Sequence, residues 1–237
     1  MTKQIPKLLK DAIEQNSIDI DVLTKHLRIP WLKLDMQFPT IDIELSKQDW
    51  RKKWKFDLKG ENNYQVNEWN GNVLFGPTDW QKFLEKANTL DDKIDEDCRC
   101  RKFRKDFDYG WYIDQNETVR KEIKKIFPKD EDLNLVNTYT LPPGGWLFPH
   151  KDYAMDNMGL NKIYIAVKWK QGNVFGMYGC GELPVTQGDV FLINNYSLPH
   201  WVYNGSDENR IVLDISANLH SPIIKQKIID AFKKAML

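Results

Sequence analysis

The chain has 237 residues, with 34 Lys+Arg balanced by 34 Asp+Glu, 41% hydrophobic and 12% aromatic residues. That is enough apolar material for one sizeable domain and too much for a disordered chain. A formal charge of zero excludes a whole-chain attraction to nucleic acid or to an anionic membrane.

No apolar run approaches the roughly 18 residues of a membrane span, and the polar start Met1 to Lys7 lacks a signal-peptide core. Cys98, Cys100 and Cys180 form neither a zinc nor a redox pattern. The expectation is a cytoplasmic protein with reduced thiols, engaging neither nucleic acid nor membrane.

In chain order, residues 1–30 read as helix. Leu8, Leu9, Ala12 and Ile13 fall at helical spacing, and Ser17 can cap a second helix carrying Val22, Leu23 and Leu27 that stops before Pro30. His26 lies among alternating charges there and reads as a surface residue. Residues 64–76 are extended in character, with Trp69, Val73, Leu74 and Phe75 ahead of a Gly76-Pro77 break. Thr78 to Gln81 has the form of a capping box and opens a short helix through Phe83 and Leu84. Residues 91–108 are a dense charge run, read as a solvated loop, with a lid over a site as the alternative. Asn116 to Phe127 reads as a helix with Val119, Ile123, Ile126 and Phe127 on one face and Pro128 as its stop.

From Leu133 the pattern becomes β. The runs Leu133–Leu141, Lys162–Trp169, Val174–Tyr178, Val190–Ile193, His200–Tyr203 and Arg210–Ser216 alternate with glycine- and asparagine-rich turns. Ser221-Pro222 then opens a helix with Ile224, Ile228, Phe232 and Ala235 on one face. The fold class expected is mainly β with flanking helices, a jelly-roll sandwich. One domain spans 1–237: a helical and strand support region over 1–130, the β core over 131–220 and the C-terminal helix over 221–237.

His150 and Asp152 form an H-x-D pair. Residues i and i+2 of a strand share a face, so an imidazole and a carboxylate can reach one ion. His200 opens a later strand and can supply a third ligand; two imidazoles and a carboxylate are the set that binds Fe(II) and leaves positions open. Four His and 23 Asp in the chain produce roughly 0.4 such pairs by chance, so the pair alone is a weak motif. Arg210 strengthens it. It lies ten residues after His200, beyond a hairpin loop, which is expected to return it on the neighbouring strand. Its planar guanidinium suits a carboxylate; the alternative is a surface Arg paired with Asp207 or Glu208. In the run 162–169, Ile163, Ile165, Val167 and Trp169 alternate with Lys162 and Tyr164, which would face the interior. Trp146 and Trp201 flank the ligands in sequence and are candidates to line a substrate pocket. His220, before Ser221-Pro222, reads as a packing or capping residue.

Pro143-Gly-Gly-Trp-Leu-Phe-Pro-His150, Gln187-Gly-Asp-Val-Phe-Leu-Ile193 and His200 to Arg210-Ile-Val-Leu213 together resemble the aspartyl/asparaginyl β-hydroxylase family of Fe(II)- and 2-oxoglutarate-dependent dioxygenases, which includes free-proline hydroxylases. The resemblance covers about a third of the chain, from Leu133 to Ser216. It implies a double-stranded β-helix, cupin-like core. It implies Fe(II) on His150, Asp152 and His200, with 2-oxoglutarate and O₂ as co-substrates. Arg210 would pair with the distal carboxylate of 2-oxoglutarate, and Tyr139 would offer it a hydroxyl. Lys162 falls where the family places a basic residue, usually Arg, for the substrate's carboxylate, with Tyr164 beside it. The implied partner is a small amino acid or a peptide, and the implied outcome is hydroxylation, since Asp152 retains the carboxylate that halogenating variants lack. Two alternatives stay open: a cupin-like metal-dependent hydrolase using the same three ligands, and a non-catalytic jelly-roll binding module.

Overall fold

Short strands, the central ones buried along nearly their whole length, build two antiparallel sheets. The computed structural model describes residues 29–41, 70–90, 96–112, 117–152 and 162–236, with Asp11, Asp19 and Ile20 besides. The helices expected over 1–30 therefore lie largely outside the described residues, as does His26.

Trp31–Gln37 (β1) is a strand with no counterpart among the expected elements, although Leu32 and Leu34 are buried between exposed Lys33 and Asp35. Asn70–Pro77 (β2) runs through Gly76-Pro77 instead of breaking there, because Gly76 and Pro77 pair with Gly110 and Tyr109 of a short strand, Tyr109–Trp111 (β3). Between them lie two helices, Trp80–Ala87 (α1) and Glu96–Lys102 (α2). The capping box expected at Thr78 does not form. The cap is Asp79, whose carboxylate accepts from the Lys82 N–H at 3.0 Å, while the Thr78 hydroxyl donates to the Asp108 carbonyl at 3.2 Å. The described part of the charge run is not a solvated loop either. In α2 and just after it, Cys98, Cys100 and Phe103 are buried, and Cys100 and Phe103 pack with Val73, Phe83 and Leu135. A few apolar side chains outweigh the charges around them, and one of those charges, Arg99, is itself buried and donates to the Ala87 carbonyl at 3.3 Å.

Glu117–Ile126 (α3) buries Val119, Ile123 and Ile126. The β half then follows its alternation closely: Leu133–Leu141 (β4), Trp146–His150 (β5), Lys162–Lys168 (β6), Asn173–Met177 (β7), Gly181–Glu182 (β8), Asp189–Ile193 (β9), His200–Asn204 (β10) and Arg210–Ala217 (β11). The chain closes with Pro222–Met236 (α4), whose first turn is tied by Lys225 N–H to the Ser221 carbonyl at 2.9 Å. Ala235, expected on its inner face, is exposed.

A seven-stranded sheet has the order β1-β9-β6-β11-β4-β2-β3 and a four-stranded sheet the order β5-β10-β7-β8. This is a jelly-roll core with flanking helices. The outer face of the large sheet presents Ile163, Ile165, Val167, Leu213 and Ile215 to α3 and α4, which contribute Ile123, Ile224, Ile228 and Phe232. Each such side chain stabilises the fold by about 1.5–3 kcal/mol on burial. The inner faces of the two sheets meet through Leu141, Tyr164, Phe175, Phe191, Val202 and Val212. Among the described residues no helix is long and apolar enough to cross a membrane.

Arg210 is not on a strand next to His200. The loop after β10 turns a corner, so β11 joins the large sheet and faces β10 across the interior. Asn204, fully buried, holds that corner. Its amide donates to the carbonyls of Leu141 (2.7 Å) and Glu208 (2.8 Å), and its oxygen accepts from the backbone and hydroxyl of Ser206. Replacing it by Ala would remove the buried bond to the Leu141 carbonyl, at about 1–3 kcal/mol, while the Glu208 carbonyl would keep the Ser206 hydroxyl at 3.0 Å. Asn204→Ala is therefore expected to lower the unfolding free energy by about that amount in urea titrations; an unchanged midpoint would show that the corner does not depend on this amide.

Candidate metal centre and anion site

His150 ends β5 and His200 begins β10, and the two are paired directly across the small sheet. Their ring centroids are 4.2 Å apart. Asp152 lies just beyond β5, and its backbone N–H donates to the Asn195 carbonyl at 3.1 Å, which ties the end of β5 to the turn after β9. This brings Asp152 Oδ1 to 3.7 Å from His150 Nε2 and 3.8 Å from His200 Nε2. One donor atom from each of the three residues falls within 4.8 Å of the others.

The tautomer of His150 follows from its partner. Nδ1 is 2.7 Å from the Phe148 carbonyl, which can only accept, so Nδ1 carries a proton and Nε2 is the nitrogen left to face the cluster. Burial holds the His200 imidazole down at about 4, against the pull of Asp152. Burial would raise the Asp152 carboxyl, but Lys162 and the two imidazoles outweigh it and hold the group at about 2. At neutral pH His200 is therefore uncharged and Asp152 ionised, and with His150 the cluster offers two imidazole nitrogens and one carboxylate oxygen. That is the donor set that suits Fe(II) and leaves coordination positions open, so the residues present fit such an ion.

Arg210 sits on the inner face of β11 and is 3% exposed. Its guanidinium donates to the Tyr164 hydroxyl and lies 4.8 Å from the Trp169 ring. Among the described residues its Nε has no hydrogen-bond partner. Burial lowers its pKa, opposed by Tyr164, and burial raises the Tyr164 phenol to about 12. A buried guanidinium with no carboxylate is costly, and this one lies in the same interior as the His–Asp–His cluster. Phe175 stacks on His200 at 5.7 Å and meets Tyr164 edge-on at 5.0 Å, so two aromatic rings bridge His200 and Arg210.

Tyr139 is on the inner face too, paired with Val212, and its hydroxyl accepts from the Asn137 amide at 3.1 Å. Tyr164 and Lys162 face inward as the alternation of β6 requires. The Lys162 ammonium, however, is engaged by the protein's own carboxylates, Asp152 at 2.7 Å and Asp214 at 3.5 Å. Asp214 and Asn195 thus belong to the cluster's surroundings, and sequence spacing carried no signal for either. Trp169 departs from its expected outward place. The β11–β6 pairing slips between Ile211 and Val212, alternation ends at Lys168, and Trp169 turns inward to Arg210.

Trp146 and Trp201 do not join the site. His200 and Val202 point inward, so Trp201 and Tyr203 point outward, and Trp146 pairs with Tyr203 on that outer face. The Trp201 ring lies against Gly176, where an added Cβ would meet it at 1.9 Å. With Phe148 these side chains line an open groove of about 550 Å³ on the far side of the small sheet from the imidazoles.

No family model and no curated protein sequence matches the chain. Similar solved structures include a viral collagen prolyl hydroxylase of Paramecium bursaria Chlorella virus-1 in its 2OG complex, with 12% identity, 45% of this chain and 75% of that one covered, and a TM-score of 0.34. A prolyl-4-hydroxylase of Pseudomonas putida has 14% identity, 63% and 91% coverage and a TM-score of 0.30. A cupin-superfamily sugar phosphate isomerase of Silicibacter pomeroyi has 20% identity and a TM-score of 0.28, covering 35% of this chain and 49%, about half, of that one.

The low His200 value has a consequence for stability. Between about 4 and the ordinary 6.5, the unfolded chain binds this proton and the folded metal-free protein does not. Stability therefore rises with pH across that window, by up to about 1.4 kcal/mol per pH unit from this group. Asp152 acts lower: its contribution is lost as pH falls from 3.8 towards 2. Unfolding titrations of the metal-free protein between pH 4 and 7 are expected to show a shallower slope for His200→Gln than for wild type. Equal slopes would place the imidazole in an ordinary, solvated environment.

Proposed function

We propose that the chain is an Fe(II)- and 2-oxoglutarate-dependent oxygenase that hydroxylates an amino acid or a peptidyl side chain, of aspartyl/asparaginyl or proline type, releasing succinate and CO₂. The observation that carries this reading is Arg210: a fully charged side chain, 3% exposed, with a hydroxyl and an aromatic face for company and no carboxylate among its described partners. It shares an interior with three metal-ligating side chains. An anion that met both would have two charged ends, and 2-oxoglutarate is such an anion.

His150 and His200 would hold the ion through Nε2 and Asp152 through Oδ1. When bound, the iron supplies the O₂ chemistry needed to attack an unactivated C–H bond. The protein's own part is ligation, orientation and dryness. Arg210, Tyr164 and Tyr139 would bind the far carboxylate of the co-substrate, the first as a fork with matched geometry. Phe175, Leu141, Val212 and Met177 are buried in the cluster that includes Tyr164, and such an apolar setting would strengthen each of those contacts. The small-molecule or peptide substrate would enter at the imidazole end.

The test is production of succinate from 2-oxoglutarate under air with Fe(II), across a panel of free amino acids and peptides. His150→Ala and His200→Ala are expected to abolish turnover. Arg210→Ala is expected mainly to raise the KM for 2-oxoglutarate, by about tenfold or more, the worth of a charge-assisted hydrogen bond. Full turnover by His200→Ala would sink the triad. Zinc-dependent, O₂-independent hydrolysis would point to a hydrolase on the same ligands, and absence of metal uptake to a binding module.

A further inference from the structure

Asp152 is gripped from two directions at once. Its Oδ1 faces the imidazoles at 3.7 and 3.8 Å. Its Oδ2 accepts from the Lys162 ammonium at 2.7 Å and from the Asn195 side-chain amide. Asn195 also holds the Asp152 backbone N–H through its carbonyl, at 3.1 Å.

Both donors are themselves fixed. Lys162 is the first residue of β6 and 6% exposed, and Asn195 is 3% exposed. The ammonium has a second carboxylate, Asp214, at 3.5 Å and the Tyr196 ring at 5.2 Å. An ammonium offers three donors, and these three neighbours set its direction. The turn that carries Asn195 is pinned on either side: Asn194 N–H donates to the Pro30 carbonyl at 2.9 Å, and the Asn194 side chain accepts from Ser197 N–H at 3.1 Å.

A carboxylate can give a metal ion one oxygen or two. Each oxygen has about two lone-pair sites, and on Oδ2 the lysine and the amide take both. Oδ1 alone is left facing the imidazoles. We propose that Lys162 and Asn195 are positioning residues that restrict Asp152 to a single ligating oxygen, so that the carboxylate does not close a coordination position needed by co-substrate or O₂. This rests on the oxygenase reading, in which an open position matters. It also gives the Lys162 charge a role inside the protein, on Asp152 and Asp214, in place of the substrate's carboxylate.

Zinc(II), which has no redox chemistry, is the probe. Zinc-loaded minus metal-free infrared spectra are recorded on protein carrying ¹³C in its aspartate carboxylates, and the bands missing from Asp152→Asn are those of Asp152. A one-oxygen carboxylate separates its antisymmetric and symmetric stretches widely; a two-oxygen one narrows the gap. The wild type is expected to show the wide separation, and the double variant Lys162→Met/Asn195→Leu, checked for folding by metal-free thermal unfolding, the narrow one. A narrow separation in the wild type, or an equally wide one in both proteins, overturns the proposal. Should the double variant not fold, the wild-type spectrum decides alone. A wild type that takes up no zinc overturns the metal centre itself, an outcome distinct from zinc bound through both oxygens.

Discussion

A charge taken out of water must meet an opposite charge, and among the described residues the interior between the two sheets holds two cations, Lys162 and Arg210, at 6% and 3% exposure. Their surroundings differ. Lys162 has two carboxylates, Asp152 and Asp214. Arg210 has the Tyr164 hydroxyl and the Trp169 ring. The first is a closed arrangement that shapes the His150–Asp152–His200 cluster, whose donor atoms could hold a metal ion. The second is open, and its energetics improve when an anion arrives. Most of the polar detail between the sheets follows from where these two side chains must stand.

The fold delivers them through a few constraints. Inward alternation of β6 places Lys162 and Tyr164 on one face. The corner held by Asn204 moves the chain from the small sheet to the large one, so that Arg210 faces the imidazole strand across the core. The direct pairing of His150 with His200 sets the two imidazoles side by side. Outside the sandwich, α3 and α4 cover the large sheet and keep its inner face free for the site.

Much of this was legible in the residues. Six β runs are found within a residue or two of their expected limits, because continuous apolar runs bounded by glycine and asparagine turns mark strands buried on both faces. The H-x-D pair and His200 come together at the ends of two paired strands, whereas Arg210 reaches the same interior from the opposite sheet and not from the neighbouring strand its spacing suggested. What was missed has physical causes. Trp201 is adjacent to His200, and adjacent strand residues point to opposite faces; Trp146, four residues before His150, would share its face by alternation, but the register shift in the β5–β10 pairing turns it to the other side. Trp169 was displaced by a slip in strand pairing that no local pattern encodes. The burial of Cys98, Cys100 and Phe103 was hidden by the charges among them. Asn195 and Asp214 come to Asp152 and Lys162 only through the closing of two sheets, and long-range contacts of that kind leave no periodic trace.

The His150–Asp152–His200 cluster and Arg210 are proposed to form one binding site for an ion and a dicarboxylate. Anaerobic titration with Fe(II) and then 2-oxoglutarate, followed by visible absorption, separates one joint site from two unrelated ones. A metal-to-ligand charge-transfer band is expected that needs both additions, saturates at one equivalent of each and decays when O₂ is admitted. Absence of the band in protein that has bound Fe(II), or a band of unchanged 2-oxoglutarate dependence in Arg210→Ala, would contradict it.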